Sequence, residues 1–241
     1  GATCPITLPG ALAQSCAEVL GGAAILKILG PECEVSITPF VYPFDMQYAT
    51  IVYGGPDFIL ANLAAEQMAE FYGTRVMAKA FNTMGKFPDD AQVGLTAGAG
   101  MVMALVGMKN FGWSGTCCID EVASVEEMII EYEIFRAALH MTNGFEFDQN
   151  NLGVDVVREC APQKSYLMHE DTVNHFRSQF FMSDIFSNEM FGPWDKAGRP
   201  TLREKARKKA FSLLASHSFK RDPAQQKELD AIWKKACELF G

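Results

Sequence analysis

The stretch GGPDFILANLAAEQMAEFYGTRVMAKAF, residues 54–81, contains the features that indicate the fold class of this chain. Pro56 suits the first turn of a helix, and Gly73 is typical of the residue that ends one. The run at 75–81 that follows is short and mostly apolar, as strands of a buried sheet are. The stretch therefore predicts a helix that leads into a strand, which is the repeating pattern of an α/β protein.

The same alternation extends to both sides of this stretch. Strand-like runs begin near residues 3, 33, 75 and 109, within the segments 3–8, 33–38, 75–81 and 108–115. Helical patterns follow them at 10–29 and 54–73, from Asp90 onward, and after Ser124, where Glu127 completes a predicted capping box. The spacing of roughly 30 residues per unit is that of a (β/α)8 barrel, so four units predict the C-terminal half of a TIM barrel over residues 1–144.

The remaining residues, 145–241, have a helical texture and are predicted to pack on the half-barrel. The final helix has Asp222 as its N-cap, Pro223 at its first position and an apolar stripe that is expected to pack against another surface. A four-stranded half-barrel has two bare sheet edges, so we expect a homo-oligomer or pairing with a missing N-terminal half.

Composition restricts the classes of function. The chain has 241 residues, 49% of them hydrophobic, and a net charge of −8, which argues against nucleic acid as the main partner. From Thr201 onward ten Lys or Arg face five Asp or Glu, a local charge of +5 that leaves −13 for the rest. This basic region is either a solvated helical face or a docking surface for an acidic protein.

The sequence also predicts where in the cell the protein is located. The longest apolar run noted, residues 93–108, is short and interrupted by glycines, so no membrane span is predicted. The first residues do not resemble a signal peptide, and seven cysteines without a CxxC pair fit reduced thiols. We therefore expect a cytoplasmic protein.

The loop PFVYPFDMQY, residues 39–48, concentrates aromatic rings around one acid, Asp45. Aromatic faces attract an alkylated ammonium through cation–π interaction, and a carboxylate adds Coulomb attraction without needing an N–H donor. A quaternary amine would suit such a pocket; the alternative is that the rings only pack the loop on the sheet. The rings are Phe40, Tyr42, Phe44 and Tyr48, with Tyr53 further along.

The next loop supplies polar candidates at the predicted carboxyl end of the third strand. Asn82 and Gln92 are candidate substrate ligands, whereas Asp89 or Asp90, directly before a helix, more often caps it. Lys79 lies in an otherwise apolar strand, where a cation needs a partner or a ligand. A Schiff-base lyase that uses Lys79 is a further, less favoured hypothesis.

A zinc site is not favoured. Cys117 and Cys118 are adjacent and cannot form the spaced pair of a zinc finger, and His169 and His175 are six residues apart, on different faces of a helix. We therefore predict no bound metal and interpret the histidines as structural on spacing alone.

An ordered series of segments resembles the trimethylamine methyltransferase family. The segments are TCPITLPGALAQSCAEVLGG (3–22), FDM (44–46), GGPDFILANLAAEQMAEFYG (54–73), PDDAQVG (88–94) and HEDTVNHFRSQFF (169–181). The resemblance covers nearly the whole chain but only the C-terminal half of a full-length member. It implies a TIM barrel whose mouth receives a methylated amine and the corrinoid of a separate carrier protein.

The resemblance also implies a set of site residues. Glu18, Asp45 and His175 are the catalytic candidates that it adds, and Asp89 and Gln92 match the family at the substrate mouth. Only standard residues occur here, which favours the branch acting on quaternary amines such as glycine betaine. The predicted function is methyl transfer from such an amine to a corrinoid protein; the alternative is a non-catalytic barrel half that binds an amine or scaffolds a partner.

Overall fold

The computed structural model describes residues 1–30, 32, 38–74, 76–77, 79–108, 110–112, 114–149, 151–161 and 165–240. Helices dominate these residues, and two short antiparallel hairpins accompany them. The longer helices are α1 (Leu8–Leu29), α2 (Pro56–Phe71), α3 (Asp90–Leu105), α4 (Val125–Asn143), α8 (Leu202–Ser216) and α9 (Pro223–Phe240). The shorter ones are α5 (Val154–Cys160), α6 (Glu170–His175) and α7 (Phe191–Lys196), with a 3-10 turn at Tyr166–Met168.

The strands differ from those predicted. One hairpin pairs β1 (Phe44–Asp45) with β2 (Thr50–Ile51), and the other pairs β3 (Thr116–Cys117) with β4 (Val122–Ala123). The run at 3–8 was predicted as a strand, but residues 3–7 are irregular and α1 begins at Leu8. The described residues of 75–81 and 108–115 form no strand beyond an isolated bridge at Phe111, and 33–37 lie outside the described residues.

The missing strands have a physical reason. A strand of a parallel sheet gains its hydrogen bonds from neighbouring strands, and β propensity alone does not replace them. The described residues contain both helices and short strands, which is compatible with the predicted α/β class. The half-barrel stays a prediction. Both strand pairs of the described residues, β1 with β2 and β3 with β4, are antiparallel.

The core lies where α4 packs against α3 and α8. Met103 of α3 and Ile130 and Ile134 of α4 are almost completely buried, and Ala206 of α8 completes the contact. Small residues let the helices approach closely: a Cβ on Gly100 would lie 3.5 Å from a methyl of Ile134. The helix α8 thus fixes part of the C-terminal region on the N-terminal part.

Capping side chains explain where several helices begin. Asp89 accepts the backbone N–H groups of Ala91 and Gln92, and Ser124 accepts that of Glu127, as the sequence predicted for Ser124. The capping box predicted with Glu127 does not form, because Ser124 N donates to the Gly115 carbonyl at 2.9 Å. A full capping box occurs at Thr201 and Glu204, which the sequence analysis did not identify.

The first helix, α1, is mostly exposed. It is long and apolar enough to cross a membrane by length and composition, with a mean hydropathy of 1.4 over a window that is 11% buried. The run at 93–108 is therefore not the longest apolar segment, and the prediction that excluded a membrane span on the length of that run is wrong. A single such helix near the N-terminus is weak evidence, since core helices and signal sequences pass the same test.

The last helix, α9, begins as predicted. Asp222 accepts the backbone N–H groups of Ala224 and Gln225, and Pro223 opens the helix. The apolar stripe does not pack as expected, because no residue of α9 is buried and Trp233 is 72% exposed.

Gly54 lies where the chain after the aromatic loop approaches Asn82 in the next loop. Its φ is +73°, and a Cβ there would lie 2.8 Å from the carbonyl oxygen of Asn82. We expect Gly54→Ala to lower the free energy of unfolding by about 1–3 kcal/mol, because both the backbone conformation and the close approach require glycine. Urea denaturation measures this change.

The matched control is Gly94→Ala in the middle of α3, where a Cβ would meet nothing within 4 Å. This change should raise the free energy of unfolding by about 0.5–1 kcal/mol, because alanine favours the helix. An equal effect of the two changes would contradict the close contact between the loops.

Candidate functional site

The predicted aromatic loop forms a cluster of rings against the start of α2. Tyr42 is central: its ring centroid lies 6.4 Å from that of Phe40, 5.3 Å from that of Tyr53 and 5.7 Å from that of Phe58. Tyr48 is 72% exposed and lies outside these contacts. Phe58 is an anchor that the sequence analysis did not select, although its place in the first turn of α2 puts it next to the loop.

The Lys79 ammonium lies inside this cluster. Its Nζ is 3.5 Å from the ring centroid of Phe40 and 4.9 Å from that of Tyr42, and it donates a hydrogen bond to the Tyr42 hydroxyl. Burial lowers the pKa of Lys79 to about 8, while the negative charge of Asp120 acts in the opposite direction. The predicted need of Lys79 for a partner is thus met by the same rings that the sequence proposed for a ligand.

Asn62 of α2 fixes the backbone beside these rings. Its Oδ1 accepts the backbone N–H of Lys79 at 3.2 Å, and its Nδ2 donates to the carbonyl of Phe58 at 2.9 Å. The polar Asn62 on the buried face of α2 is a signal that sequence reasoning passed over.

A cavity of about 320 Å³ lies between the first helix and the aromatic loop. Three of the predicted rings line it, together with the predicted acid Glu18, whose Oε1 accepts a hydrogen bond of 2.9 Å from Gln14 Nε2. The rings are Phe40, Tyr42 and Phe44. Rings and one carboxylate are the groups that attract an alkylated ammonium, and the volume is that of a small-molecule pocket.

Asp45 is at the turn between β1 and β2. Its Oδ1 accepts the backbone N–H groups of Gln47 at 2.7 Å and Tyr48 at 3.0 Å, as in an Asx turn. Asp45 is not among the residues that line the 320 Å³ cavity. Its immediate task in the structure is to shape the hairpin that presents Phe44, and its catalytic role stays a prediction.

The loop at residues 82–92, which follows the third predicted strand, is held by its own polar side chains. Asp89 caps α3, which is the structural alternative considered for it, and Gln92 Oε1 accepts from Thr83 Oγ1 at 2.9 Å. Asn82 is 1% exposed, and its Oδ1 has no hydrogen-bond partner among the described residues. The substrate-binding role assigned to this group stays a prediction.

His175 belongs to a different region. Its Nδ1 lies 3.0 Å from Asp171 Oδ1, and both residues line a separate, open cavity of about 1090 Å³. His169 contacts Glu159 instead, at 3.2 Å. Over the described residues no group of three or more His, Cys, Asp or Glu is arranged to hold a metal ion.

Two buried acids of α4 were missed by the sequence analysis. Glu127 and Glu131 are 1% and 0% exposed, and each has one carboxyl oxygen without a partner among the described residues. Glu131 Oε2 accepts from Gly115 N at 2.6 Å and from Ser114 Oγ at 3.0 Å. Glu127 and Glu131 are four residues apart and share a helix face with Ile130 and Ile134, and this spacing could have indicated that the two acids are buried. The sequence analysis instead assigned Glu127 to a capping box.

Burial raises the pKa of both acids. The pKa of Glu131 rises to about 8 and that of Glu127 to about 7, since desolvation disfavours the charged form and nearby carboxylates, Glu127 beside Glu131 and Asp89 beside Glu127, add repulsion. The pair therefore carries less than two negative charges at neutral pH.

The turn between β3 and β4 contains three consecutive residues in the left-handed region. Cys118, Ile119 and Asp120 have φ values of 51°, 56° and 66°, which is unfavourable above all for the β-branched Ile119. The stretch is held by a 2.8 Å bond from Cys118 N to the Gly85 carbonyl and by a 3.3 Å bond from the Tyr53 hydroxyl to Asp120. Such strained residues often lie at functional sites.

The described residues form a mixed, mainly helical fold with two short hairpins and a cluster of aromatic rings beside a cavity. The sequence profile of the trimethylamine methyltransferase (MTTB) family matches residues 1–239, and the chain belongs to that family. The chain is 25% identical to the trimethylamine methyltransferase MttB of Methanosarcina barkeri over 243 residues, covering 100% of this chain and 48% of that protein.

Two other relatives have different names. The glycine betaine methyltransferase of Desulfitobacterium hafniense is 26% identical, with 96% of this chain and 48% of that protein covered. The L-carnitine:corrinoid methyltransferase of Eubacterium limosum is 20% identical, with 94% and 47% covered. The chain thus spans about half the length of these relatives.

Proposed function

We propose that this chain is the methyl-transferring half of a corrinoid-dependent amine methyltransferase, acting on a quaternary amine such as glycine betaine. The observation that supports this most strongly is the 320 Å³ cavity, where Glu18 meets the rings of Phe40, Tyr42 and Phe44 in a member of this family. Three relatives are named for trimethylamine, glycine betaine and carnitine, and each of these compounds has a methylated nitrogen.

The residues of the cavity bind and orient the amine. A quaternary ammonium is held by ring faces and by the Glu18 carboxylate, and none of these groups needs an N–H on the substrate. The reduced cobalt of a corrinoid, carried by a partner protein, supplies the nucleophile. When the C–N bond breaks, its electron pair would go to the positively charged nitrogen and the amine would leave as a neutral molecule. No general acid is therefore needed, and the task of the protein is to fix one methyl group in place.

The proposal extends to assembly and location. A half (β/α)8 barrel over residues 1–144, completed by a second copy or by a missing N-terminal half, would close the open edges of a sheet. We also propose a cytoplasmic protein, because seven cysteines without a CxxC pair fit reduced thiols. Sedimentation of the purified chain tests the assembly, since a stable monomer contradicts pairing between copies.

The decisive experiment measures methyl transfer from glycine betaine to cob(I)alamin, by the chain alone and after mixing with a candidate N-terminal half. Formation of methylcobalamin supports the proposal, and no transfer in either mixture contradicts it. Calorimetric binding of betaine without turnover would instead support the alternative, a non-catalytic module that binds an amine.

Two acids are compared in the same assay. Glu18→Gln should lower methyl transfer about tenfold, because one carboxylate charge near the ammonium is lost.

Asp45→Ala should abolish transfer. Asp45→Asn keeps a side-chain oxygen that can accept the backbone N–H groups of Gln47 and Tyr48, as the carboxylate does now. Full activity of Asp45→Asn would show that Asp45 acts only by shaping the hairpin.

A further inference from the structure

One face of α1 forms a wall of the 320 Å³ cavity. The residues of α1 that line the cavity are Ala11, Gln14, Ser15 and Glu18. Their spacing of three, one and three residues places them on the same side of the helix, over two turns. The face that closes the cavity thus also carries its acid, Glu18.

Gln14 holds this acid by a hydrogen bond. Its Nε2 donates to Glu18 Oε1 at 2.9 Å and to the backbone carbonyl of Thr3 at 3.1 Å. These two bonds use both N–H groups of the amide. The bond to Gln14 engages only one of the two carboxyl oxygens of Glu18, and a carboxylate can accept or attract through both.

The carboxyl group of Glu18 depends on such a bond for its direction. Glu18 is exposed, so packing does not select one rotamer of its long side chain, and ordering that side chain costs conformational entropy. Gln14 is itself tied to the N-terminal segment, whose residues Gly1 to Cys4 line the same cavity. The amide of Gln14 therefore connects the acid to a second wall of the cavity.

Ser15, the next residue of α1, has a different task. Its Oγ accepts the backbone N–H of Phe40 at 2.8 Å, and the residue is 9% exposed. This bond fixes the aromatic loop on α1 and does not involve the acid. Two neighbouring residues on one face thus hold two different parts of the cavity, the acid and the rings.

We propose that Gln14 is a positioning residue of the amine site, which directs the Glu18 carboxylate so that the cavity prefers a cation to a neutral molecule of the same shape. Gln14 acts on the ligand through Glu18 and does not have to touch it. The proposal deepens the proposed function and rests on it for the use of the cavity, but the preference for charge is a binding property that is measured without methyl transfer.

The test compares two probes, choline and 3,3-dimethylbutan-1-ol, in which carbon replaces the quaternary nitrogen. The two molecules have nearly the same shape, so the ratio of their Kd values separates attraction of charge from fit. Calorimetry at constant ionic strength gives both values. The amino group of Gly1, which donates to Cys4 Sγ at 3.9 Å, is present in every variant and contributes equally to each ratio.

Gln14→Met keeps the length and helix propensity of the side chain and removes both N–H donors. We expect it to lower the preference for choline over the neutral alcohol about fivefold, and Glu18→Gln to lower it about tenfold. In the Glu18→Gln background, Gln14→Met should cause no further fall, because it acts through the same carboxylate. Gln14→Leu is an independent replacement that should give the same fall.

Ser15→Ala is the matched control on the same face of α1. It loosens the loop that carries the rings, so it should weaken both probes alike and leave their ratio at the wild-type value. If Gln14 and Glu18 form only an ordinary surface pair of a helix, Gln14→Met changes stability and not the ratio. An unchanged ratio in Gln14→Met, an equal fall in Ser15→Ala, a further fall in the double variant, or no choline binding by the wild-type chain overturns the proposal.

The outcomes separate this proposal from the proposed function. A preference for choline that falls in Gln14→Met and Glu18→Gln, without methyl transfer to cob(I)alamin, keeps the role of Gln14 and rejects the proposed function. Methyl transfer with an unchanged ratio in Gln14→Met keeps the function and rejects the role of Gln14.

Discussion

Phe58→Ala should lower the free energy of unfolding by about 3–5 kcal/mol, because the ring is 1% exposed and its removal leaves a cavity at the start of α2. The ring of Phe58 has its centroid 5.7 Å from that of Tyr42 and 5.7 Å from that of Tyr53. Tyr42 belongs to the aromatic loop and Tyr53 follows it, so the change also loosens the loop from α2. Urea denaturation followed by circular dichroism measures the loss.

Leu60→Ala is the matched control on the same helix. Leu60 is 53% exposed, so its truncation should cost less than about 1 kcal/mol. Phe58→Leu should fall between the two, since it keeps apolar volume and loses ring stacking. A small effect of Phe58→Ala would show that the loop is not anchored on α2.

Helix boundaries were predictable because their signals are local. Pro56 opens α2, Asp89 and Ser124 accept the first N–H groups of α3 and α4, and Asp222 does the same for α9. Each side chain acts within three residues of itself, so the sequence contains the whole interaction. Gly73, with φ +67°, ends the turn after α2 for the same local reason.

Strands were not predictable in this way, because their stability depends on partners far along the chain. The run at 3–8 has the composition of a strand, yet residues 3–7 are irregular, whereas hairpins form at Phe44–Asp45 and Thr116–Cys117 where a turn brings the partner close. The stripe of α9 shows the same limit: its pattern indicated a buried face, but no residue of α9 is buried.

The site was predictable in composition but not in arrangement. The sequence selected the rings and Lys79 separately, and only the structure shows that Lys79 Nζ lies 3.5 Å from the Phe40 ring centroid. Asp45 was selected for its charge among rings, yet its Oδ1 accepts two backbone N–H groups of the turn. A carboxylate in a loop serves either purpose, and sequence alone does not distinguish them.

The stability of the protein should fall as the pH rises from 5 to 8, by on the order of 3 kcal/mol, because of the buried acids of α4. Burial raises the pKa of Glu131 to about 8 and that of Glu127 to about 7, above the ordinary value of 4.5. Between these values the folded chain holds protons that the unfolded chain has released. Stability is therefore fully present below pH 4.5 and is lost as the pH passes through 7 to 8.

Glu131→Gln removes the larger part of this dependence. Its amide oxygen still accepts from Gly115 N, as Glu131 Oε2 does at 2.6 Å, and no charge has to be buried at pH 8. Urea denaturation at several pH values should show a much flatter profile, with the variant more stable than the wild type at pH 8. A profile as steep as that of the wild type would assign the dependence to other groups.

Ser114→Ala acts in the opposite direction and completes the argument. The Ser114 hydroxyl donates to Glu131 Oε2 at 3.0 Å and favours the charged carboxylate, so its loss should raise the pKa of Glu131 further. The fall in stability should then be larger and extend to a higher pH than in the wild type, whereas Glu131→Gln removes it. A general loss of packing would not change the pH dependence of stability in opposite directions in the two variants. Opposite changes would therefore identify the Glu131 carboxyl as the group that titrates.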